Sequence, residues 1–331
     1  MVPEFINFAH ALDGPERGAH LKEDALLKAL AEDTPAWVHL DGTDSRVAAW
    51  IGEHLTYLDP QAIEALLDVD TRPRTTVLGA GMIVILRVLN ANHGQDPEDM
   101  VSVRMWIDAH RIITISRTPS HVIERMDRLM QRADAPVDAG AFLVAFVEDV
   151  TEQIAGFQRD LDQTAEDLEE GVIAEHGDHL SRDVVNLRLK VIAARRFLGP
   201  QREALYTIAQ ARVPIVDQTT RREIEEEHLK LTRVIEDLDE LREQAIVLRE
   251  ELSGQLSDRL NRNMFFLSII SAIFLPLGFL TGLFGVNVGG VPGTGDRDAF
   301  LWLCAAMGAL AALLVLVLWR MRWIGRRRNA S

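Results

Sequence analysis

Two stretches of the chain carry no formal charge: residues 264–284 (MFFLSIISAIFLPLGFLTGLF) and 299–319 (AFLWLCAAMGALAALLVLVLW). Each has 21 residues. At ~1.5 Å per residue a helix of that length covers about 31 Å, the hydrocarbon thickness of a bilayer. The two stretches predict transmembrane helices and exclude a purely soluble protein. Residues 1–118 are patterned differently. Short β-branched or alternating runs at 36–41, 81–90, 100–108 and 111–117, each bounded by Gly, Pro, Asp or Asn, predict strands. Segments 45–55 and 60–68 predict helices, the second with Asp59 and Pro60 as N-cap and first helical residue. From Pro119 onward the strand signal stops and apolar residues recur at helical spacing. Helices are expected over 121–134, over 139–171 with Gly171 as the stop, and over 178–198 with Gly199 and Pro200 as the break. Pro214 breaks the next short piece. From Val216 to Phe284 nothing compels a stop, since neither Gly254 nor Pro276 must end a helix. One helix of roughly 100 Å is expected there, part stalk and part span.

The expected organisation is an α+β cytoplasmic domain with a long stalk helix and two transmembrane helices. Residues 1–118 form the α/β domain and 119–215 a helical region. Residues 216–263 are the stalk, 264–285 the first span, 286–298 the connecting loop, 299–319 the second span and 320–331 a basic tail.

Charge gives this arrangement an orientation. The chain's net charge is −15, yet the tail holds Arg320, Arg322, Arg326, Arg327 and Arg328 and no acid. Residues 1–319 therefore carry about −20, a field that repels nucleic acid and attracts cations. Arginines beside the second span mark the cytoplasmic side. Two spans return the chain to one side, so both termini are expected in the cytoplasm of an inner (plasma) membrane protein. The start, MVPEFINFAHALDGPERG, has no basic n-region or apolar h-region of a signal peptide. Cys304 is the only cysteine, which excludes a disulfide-built secreted domain.

The long helix has two faces. Leu231, Val234, Leu238, Leu241, Ala245, Leu248 and Leu252 alternate steps of three and four, a heptad seam that predicts packing against a partner helix. About 140° around the helix lies a second row: Ser257, Asn261, Met264, Ser268, Ser271, Leu275, Gly278, Gly282 and Gly285. Through the span this row is small or polar, while its neighbours are Phe, Leu and Ile. Such a face serves either close helix packing or a water-filled path. On the cytoplasmic side the row continues as Gly254, Glu250, Val247, Glu243, Glu240 and Glu236, an acidic approach suited to a cation conduit. One such face per chain encloses nothing, so a path requires a ring of copies. Leu275, Met264 and Leu267 would then supply apolar constrictions that gate by dewetting.

The connection from Gly285 to Asp298 contains five glycines and a proline, a tight irregular turn. Asn287 is its first hydrogen-bonding side chain. A neutral carboxamide accepts from the water around a cation, or binds the cation itself, without holding it too firmly to leave. A plain Gly-Val-Asn turn is the alternative. Elsewhere Glu175, His176, Asp178 and His179 are candidate zinc ligands, set beside Glu166, Asp167, Glu169 and Glu170. Their spacing also suits a solvated acidic helix tip. The other eight histidines, His10, His20, His39, His54, His93, His110, His121 and His228, are scattered. They read as surface or core residues, with His228 nearest the acidic row. No phosphate-binding loop, aspartyl-phosphate or hydrolase motif occurs. No enzyme, no ATP engine and no cofactor is expected.

A C-terminal pair of spans joined by a Gly-x-Asn turn, after a very long helix and an acidic α/β domain, resembles the CorA-type divalent-cation transporters. The resemblance is most specific in FLPLGFLTGLFGVNVGGVPG (274–293). Magnesium-type members usually have Met in the middle of the tripeptide and then an acid-containing segment. Here Val286 and Val-Gly-Gly-Val-Pro-Gly look like the ZntB branch, as does LGPQREAL (198–205). The resemblance implies a funnel-shaped homopentamer in contact with membrane lipid. Its first span lines the pore and its second faces lipid. Gly285, Val286 and Asn287 form the outer selectivity loop, with Gly278, Leu275, Met264, Asn261 and Ser257 below. The Thr familiar at the position of Gly278 is missing, which removes a polar ring there. Zinc is the implied cargo, taken up with protons in one version and exported in another. Magnesium or cobalt transport of the CorA type is the nearest alternative. From another class, the heptad seam alone fits a membrane-anchored coiled-coil scaffold. The first span has no ionisable residue between Met264 and Gly285, so moving protons would need water, stalk carboxylates, or Asp296 and Asp298.

Overall fold

A computed structural model describes residues 3–14, 17–32, 34–69, 71–174, 179–285, 295 and 297–328, with side chains described as far as Arg320. The chain divides into two compact units, Met1–Arg249 and Glu250–Ser331.

In the first unit, the β-branched runs become β2 (Ala36–Asp41), β4 (Gly81–Val88), β5 (Val101–Ile107) and β6 (Arg111–Ser116). Two further strands, β1 (Ile6–Ala11) and β3 (Arg74–Leu78), complete a sheet of order β1-β2-β6-β5-β4-β3. Only β2 and β6 pair in parallel. A parallel pair needs a crossover, and here it contains α2 (Arg46–His54) and α3 (Pro60–Leu67). Val38, Leu40, Ile83, Ile85, Ile113 and Ile115 alternate onto one sheet face. There they join Leu26 and Leu30 of α1 (Glu23–Ala31), Val47 and Ile51 of α2, and Leu66 of α3. The period of two sends Trp37 to the other face. Its ring lies 4.8 Å from that of Phe142 in α5 (Ala139–Ile173). On the same side Thr75 donates to the Ala204 carbonyl of α6 (Leu180–Gln210) at 3.0 Å. All seven residues of β5 are buried, the pattern of a strand covered on both faces.

Helix starts follow the expected chemistry. Asp59 accepts from the Gln61 amide at 2.8 Å ahead of Pro60. Asp138 accepts from Ala141 and Asp217 from Thr220, both at 2.7 Å. Each satisfies an amide that has no partner within the helix. Helix α4 (His121–Met130) precedes α5.

Two expected stops do not stop a helix. Helix α5 continues through Gly171 to Ile173. A Cβ on Gly171 would lie 3.0 Å from Leu180 Cδ2, so this glycine makes room for the first turn of α6. Helix α6 runs through Gly199 and Pro200 to Gln210. Proline there removes one backbone bond. Beyond it Gln201, Ala204, Leu205 and Ile208 stay buried, and the Gln201 carboxamide accepts from the Arg87 amide of β4 at 2.7 Å. Tertiary packing outweighs the local cost.

Helix α7 runs from Gln218 to Phe284 through Pro276, and α8 from Ala299 to Arg328. The later part of α7 and α8 make up the second unit. Both helices are long and apolar enough to cross a membrane.

Candidate functional site

Helix α7 is organised by the seam. Leu231, Val234, Leu238, Leu241, Ala245 and Leu248 are buried, and Leu252 is half-buried. A fully buried Leu or Val stabilises by about 1.5–3 kcal/mol relative to exposure, so this row holds the first turns of α7 firmly. Its partners lie in the same chain. Arg195 of α6 makes a two-pronged contact with Asp239 at 2.9 and 3.0 Å. Gln244 donates to Glu169 of α5 at 2.9 Å. Arg195 holds the Asp239 carboxyl below the usual carboxylate range. The seam is thus filled within one protomer.

The acidic row lies off this seam. Glu236, Glu240, Glu243 and Glu250 are all exposed. Glu243 has Arg242 at 3.4 Å, which offsets part of its charge. Glu240 lines a cleft of about 430 Å³ with Asp237 and Gln244 of α7 and Gln158 and Asp162 of α5. The cleft therefore gathers three carboxylates, two of which a reading of the α7 row alone misses. Asp162 comes from another helix, and Asp237 is one residue off the row. His228 is half-buried, with its ring 5.8 Å from that of Tyr206. Burial, aided by Arg202, lowers its pKa. It belongs to the α6–α7 packing rather than to the acidic row.

In the second unit, Ser257, Asn261, Met264, Leu267, Ser268, Ser271, Leu275, Gly278, Gly282 and Gly285 are all exposed. The partly covered residues of this stretch, Ile269, Ile273, Pro276, Leu277 and Leu280, occupy a neighbouring face. A Cβ built on Gly254, Gly278 or Gly282 meets open space, whereas one on Gly285 would lie 2.9 Å from the Thr281 carbonyl oxygen, so no contact among the described residues requires the first three glycines. The Ser257 hydroxyl donates to the Ser253 carbonyl at 2.9 Å. Thr281 donates to the Gly278 carbonyl at 3.0 Å. Both hydroxyls thus spend their proton on the helix and keep oxygen lone pairs outward.

Val286 and Asn287 of the loop lie outside the described residues, as do Glu175, His176 and Asp178. His179 is exposed just before α6 and makes no side-chain cap. Two of the scattered histidines, by contrast, meet. His10 and His20 lie with Asp127 so that one ligand atom from each falls within 4.8 Å of the others. The sequence signal was faint: the two histidines face each other only because the chain doubles back between them.

Comparison with known proteins places this geometry in a family. Residues 32–326 match the family model described as "CorA-like Mg2+ transporter protein". The chain is 31% identical over 318 residues to "Zinc transport protein ZntB" of Yersinia enterocolitica, covering 96% of this chain and 95% of that protein. It is 32% identical over 324 residues to "Divalent cation transporter CmaX" of Pseudomonas aeruginosa, covering 96% of both. The solved structure of full-length CmaX superposes with a TM-score of 0.81 at 30% identity, covering 96% of this chain and 98% of that one.

Proposed function

Because the chain belongs to the family of CorA-like Mg2+ transporter proteins, we propose that it conducts a divalent cation through a pore built by several copies, with zinc as the preferred cargo. The observation that carries this reading is the exposed row from Ser257 to Gly285, in which Gly278 and Gly282 face open space. Small residues that pack against nothing in their own chain serve either a close neighbour or an open lumen, and a ring of copies supplies both. The exposed carboxylates of Glu236, Glu240, Glu243 and Glu250 would raise the local cation concentration at its cytoplasmic mouth. The zinc preference rests on the likeness to the Yersinia protein and on Val286-Asn287 with no acid close behind. The coiled-coil scaffold loses its main support, because the seam from Leu231 to Leu248 is already buried within one chain.

In this reading the ring is a pentamer in an inner membrane, both termini are cytoplasmic, and Asn287 is the outer selectivity element. Reconstituted vesicles test it, with zinc, magnesium and the pH gradient varied independently. Zinc flux should exceed magnesium flux. Asn287→Ala should abolish flux without changing oligomer size, and Asn287→Asp should bind divalent ions more strongly and blur their selection. Normal zinc flux and unchanged preference in both variants would reduce Asn287 to a turn residue. Magnesium flux above zinc flux would favour the magnesium alternative. Dependence of zinc uptake on the imposed pH gradient decides proton coupling.

A further inference from the structure

We infer that His10, His20 and Asp127 form a binding site for a zinc-type cation in the first unit, outside the proposed pore. His10 lies on β1 and is fully buried. Its Nδ1 sits 3.1 Å from the Gly18 carbonyl and its Nε2 2.6 Å from Asp127 Oδ1 of α4. A carbonyl only accepts, so Nδ1 carries the proton and donates it to Gly18. The Nε2 lone pair is then aimed at a carboxylate. Two acceptors this close need a proton between them or, once they separate slightly, a metal ion that both of them bind. The third side chain argues for the metal. His20 pairs with His10 across an antiparallel bridge, and their ring centroids are 4.4 Å apart. A shared proton would occupy His10 and Asp127 and leave His20 without a part.

The geometry suits zinc. Bonds of ~2.0–2.1 Å in a tetrahedron set ligand atoms roughly 3.3 Å apart. One ligand atom from each residue lies within 4.8 Å of the others, with His10 Nε2 and Asp127 Oδ1 at 2.6 Å, so small rotations reach that spacing. Both movable ligands have room: His20 is exposed, and the Asp127 side chain is 24% exposed. The exposed side leaves a fourth position for water. Donation from His10 Nδ1 to a backbone carbonyl is the outer support that orients a metal-binding imidazole.

The loop is built to hold this arrangement. Gly18 has φ +77, and a Cβ there would collide with the Met130 carbonyl at the end of α4. Only glycine permits that approach. Leu21 donates to the Ala9 carbonyl at 2.8 Å and Gly18 to Ala11 at 2.9 Å, which fixes His20 opposite His10. Arg17 donates to the Ala135 carbonyl. A bound ion would therefore clasp β1 to α4. Two imidazoles and one carboxylate favour zinc over magnesium, which prefers oxygen alone.

The test uses the full chain in detergent, with zinc counted by equilibrium dialysis and cobalt as a spectroscopic substitute. His20→Ala and Asp127→Asn should each lower the zinc count by one per chain and remove the intense visible absorption of tetrahedral cobalt. About a hundred-fold excess of magnesium should leave both signals in place. His20 is exposed, so its variant keeps the His10–Asp127 contact, and circular dichroism should match wild type. Unchanged zinc count and cobalt spectrum in both variants would overturn the assignment, as would displacement by magnesium. Asn287→Ala should keep this site intact, which separates failure here from failure of the pore reading.

Discussion

His39 should make the first unit sensitive to mild acid. It lies on β2 and is 4% exposed. Its Nδ1 sits 2.9 Å from the Thr114 hydroxyl and its Nε2 3.3 Å from that of Ser116. Its ring stacks on Phe8 with centroids 5.3 Å apart. Burial pushes its pKa down to about 4, against the opposing pull of Thr114, Asp41 and Asp127. An unfolded histidine titrates near ~6.5. Between these values the unfolded chain binds a proton that the folded chain refuses, so stability falls as pH drops. The contribution is fully present above pH ~6.5 and is lost through the window down to pH ~4. About 2.5 units at 1.36 kcal/mol each gives roughly 3 kcal/mol, with a slope of at most ~1.4 kcal/mol per pH unit. Denaturant unfolding of the detergent-solubilised chain at a series of pH values, followed by tryptophan fluorescence, measures it; Trp37 is buried in the same strand. His39→Gln should flatten the curve between pH 6.5 and 4. Acid loss from carboxylates such as Asp239, held low by Arg195, lies below about pH 4 and should remain. Identical pH profiles for wild type and variant would refute the reasoning.

Two further predictions concern the proposed path. With Cys304 replaced, cysteines at Ser268, Ser271 and Gly278 should react in the membrane with a small water-soluble thiol reagent, whereas cysteines at Phe266 and Phe279 should not; equal reactivity of both sets would remove the pore-facing assignment. Replacing Glu236, Glu240, Glu243 and Glu250 by Gln should lower zinc flux several-fold at low ionic strength and little at about 1 M salt, where the Debye length is about 3 Å; a loss independent of salt would indicate a tightly held ion instead.

The core of the sheet was legible because its strands announce themselves. AWVHLD, RIITIS and the runs between are apolar, β-branched and bounded by breakers, and β2 occupies the whole of its predicted range. The strands that escaped are of another kind. Strand β3 reads RTTVL and is mostly exposed; as an edge strand paired only with β4, it needs little apolar content. Strand β1 lies at the other edge, with an irregular register against β2 between Ile6 and Phe8. The misplaced stops at Gly171 and Pro200 have a common cause. Local propensity treats glycine and proline as punctuation, whereas here a neighbouring helix and a sheet strand supply the compensating contacts. The His10–His20–Asp127 cluster was hidden for a related reason: Asp127 is brought in from 117 residues away, and no spacing rule reaches that far.

The α7 rows teach a complementary point. The seam from Leu231 to Leu248 was readable because its partners are in the same chain, and burial within one protomer accounts for every residue in it. The row from Ser257 to Gly285 was equally readable as a pattern, yet the protomer gives it no purpose. Gly278 and Gly282 face open space and Leu275 is exposed. Exposed Leu and Phe in a span are natural against lipid. Exposed glycine is different, because glycine in a helix interior costs about 0.8–1.0 kcal/mol relative to alanine. Gly278 and Gly282 incur that cost with no contact among the described residues to offset it. In the proposed ring, close approach of another copy or the width of a lumen would supply the compensation. Either role fits the ring proposed above, and the accessibility of cysteines placed along this row tests it.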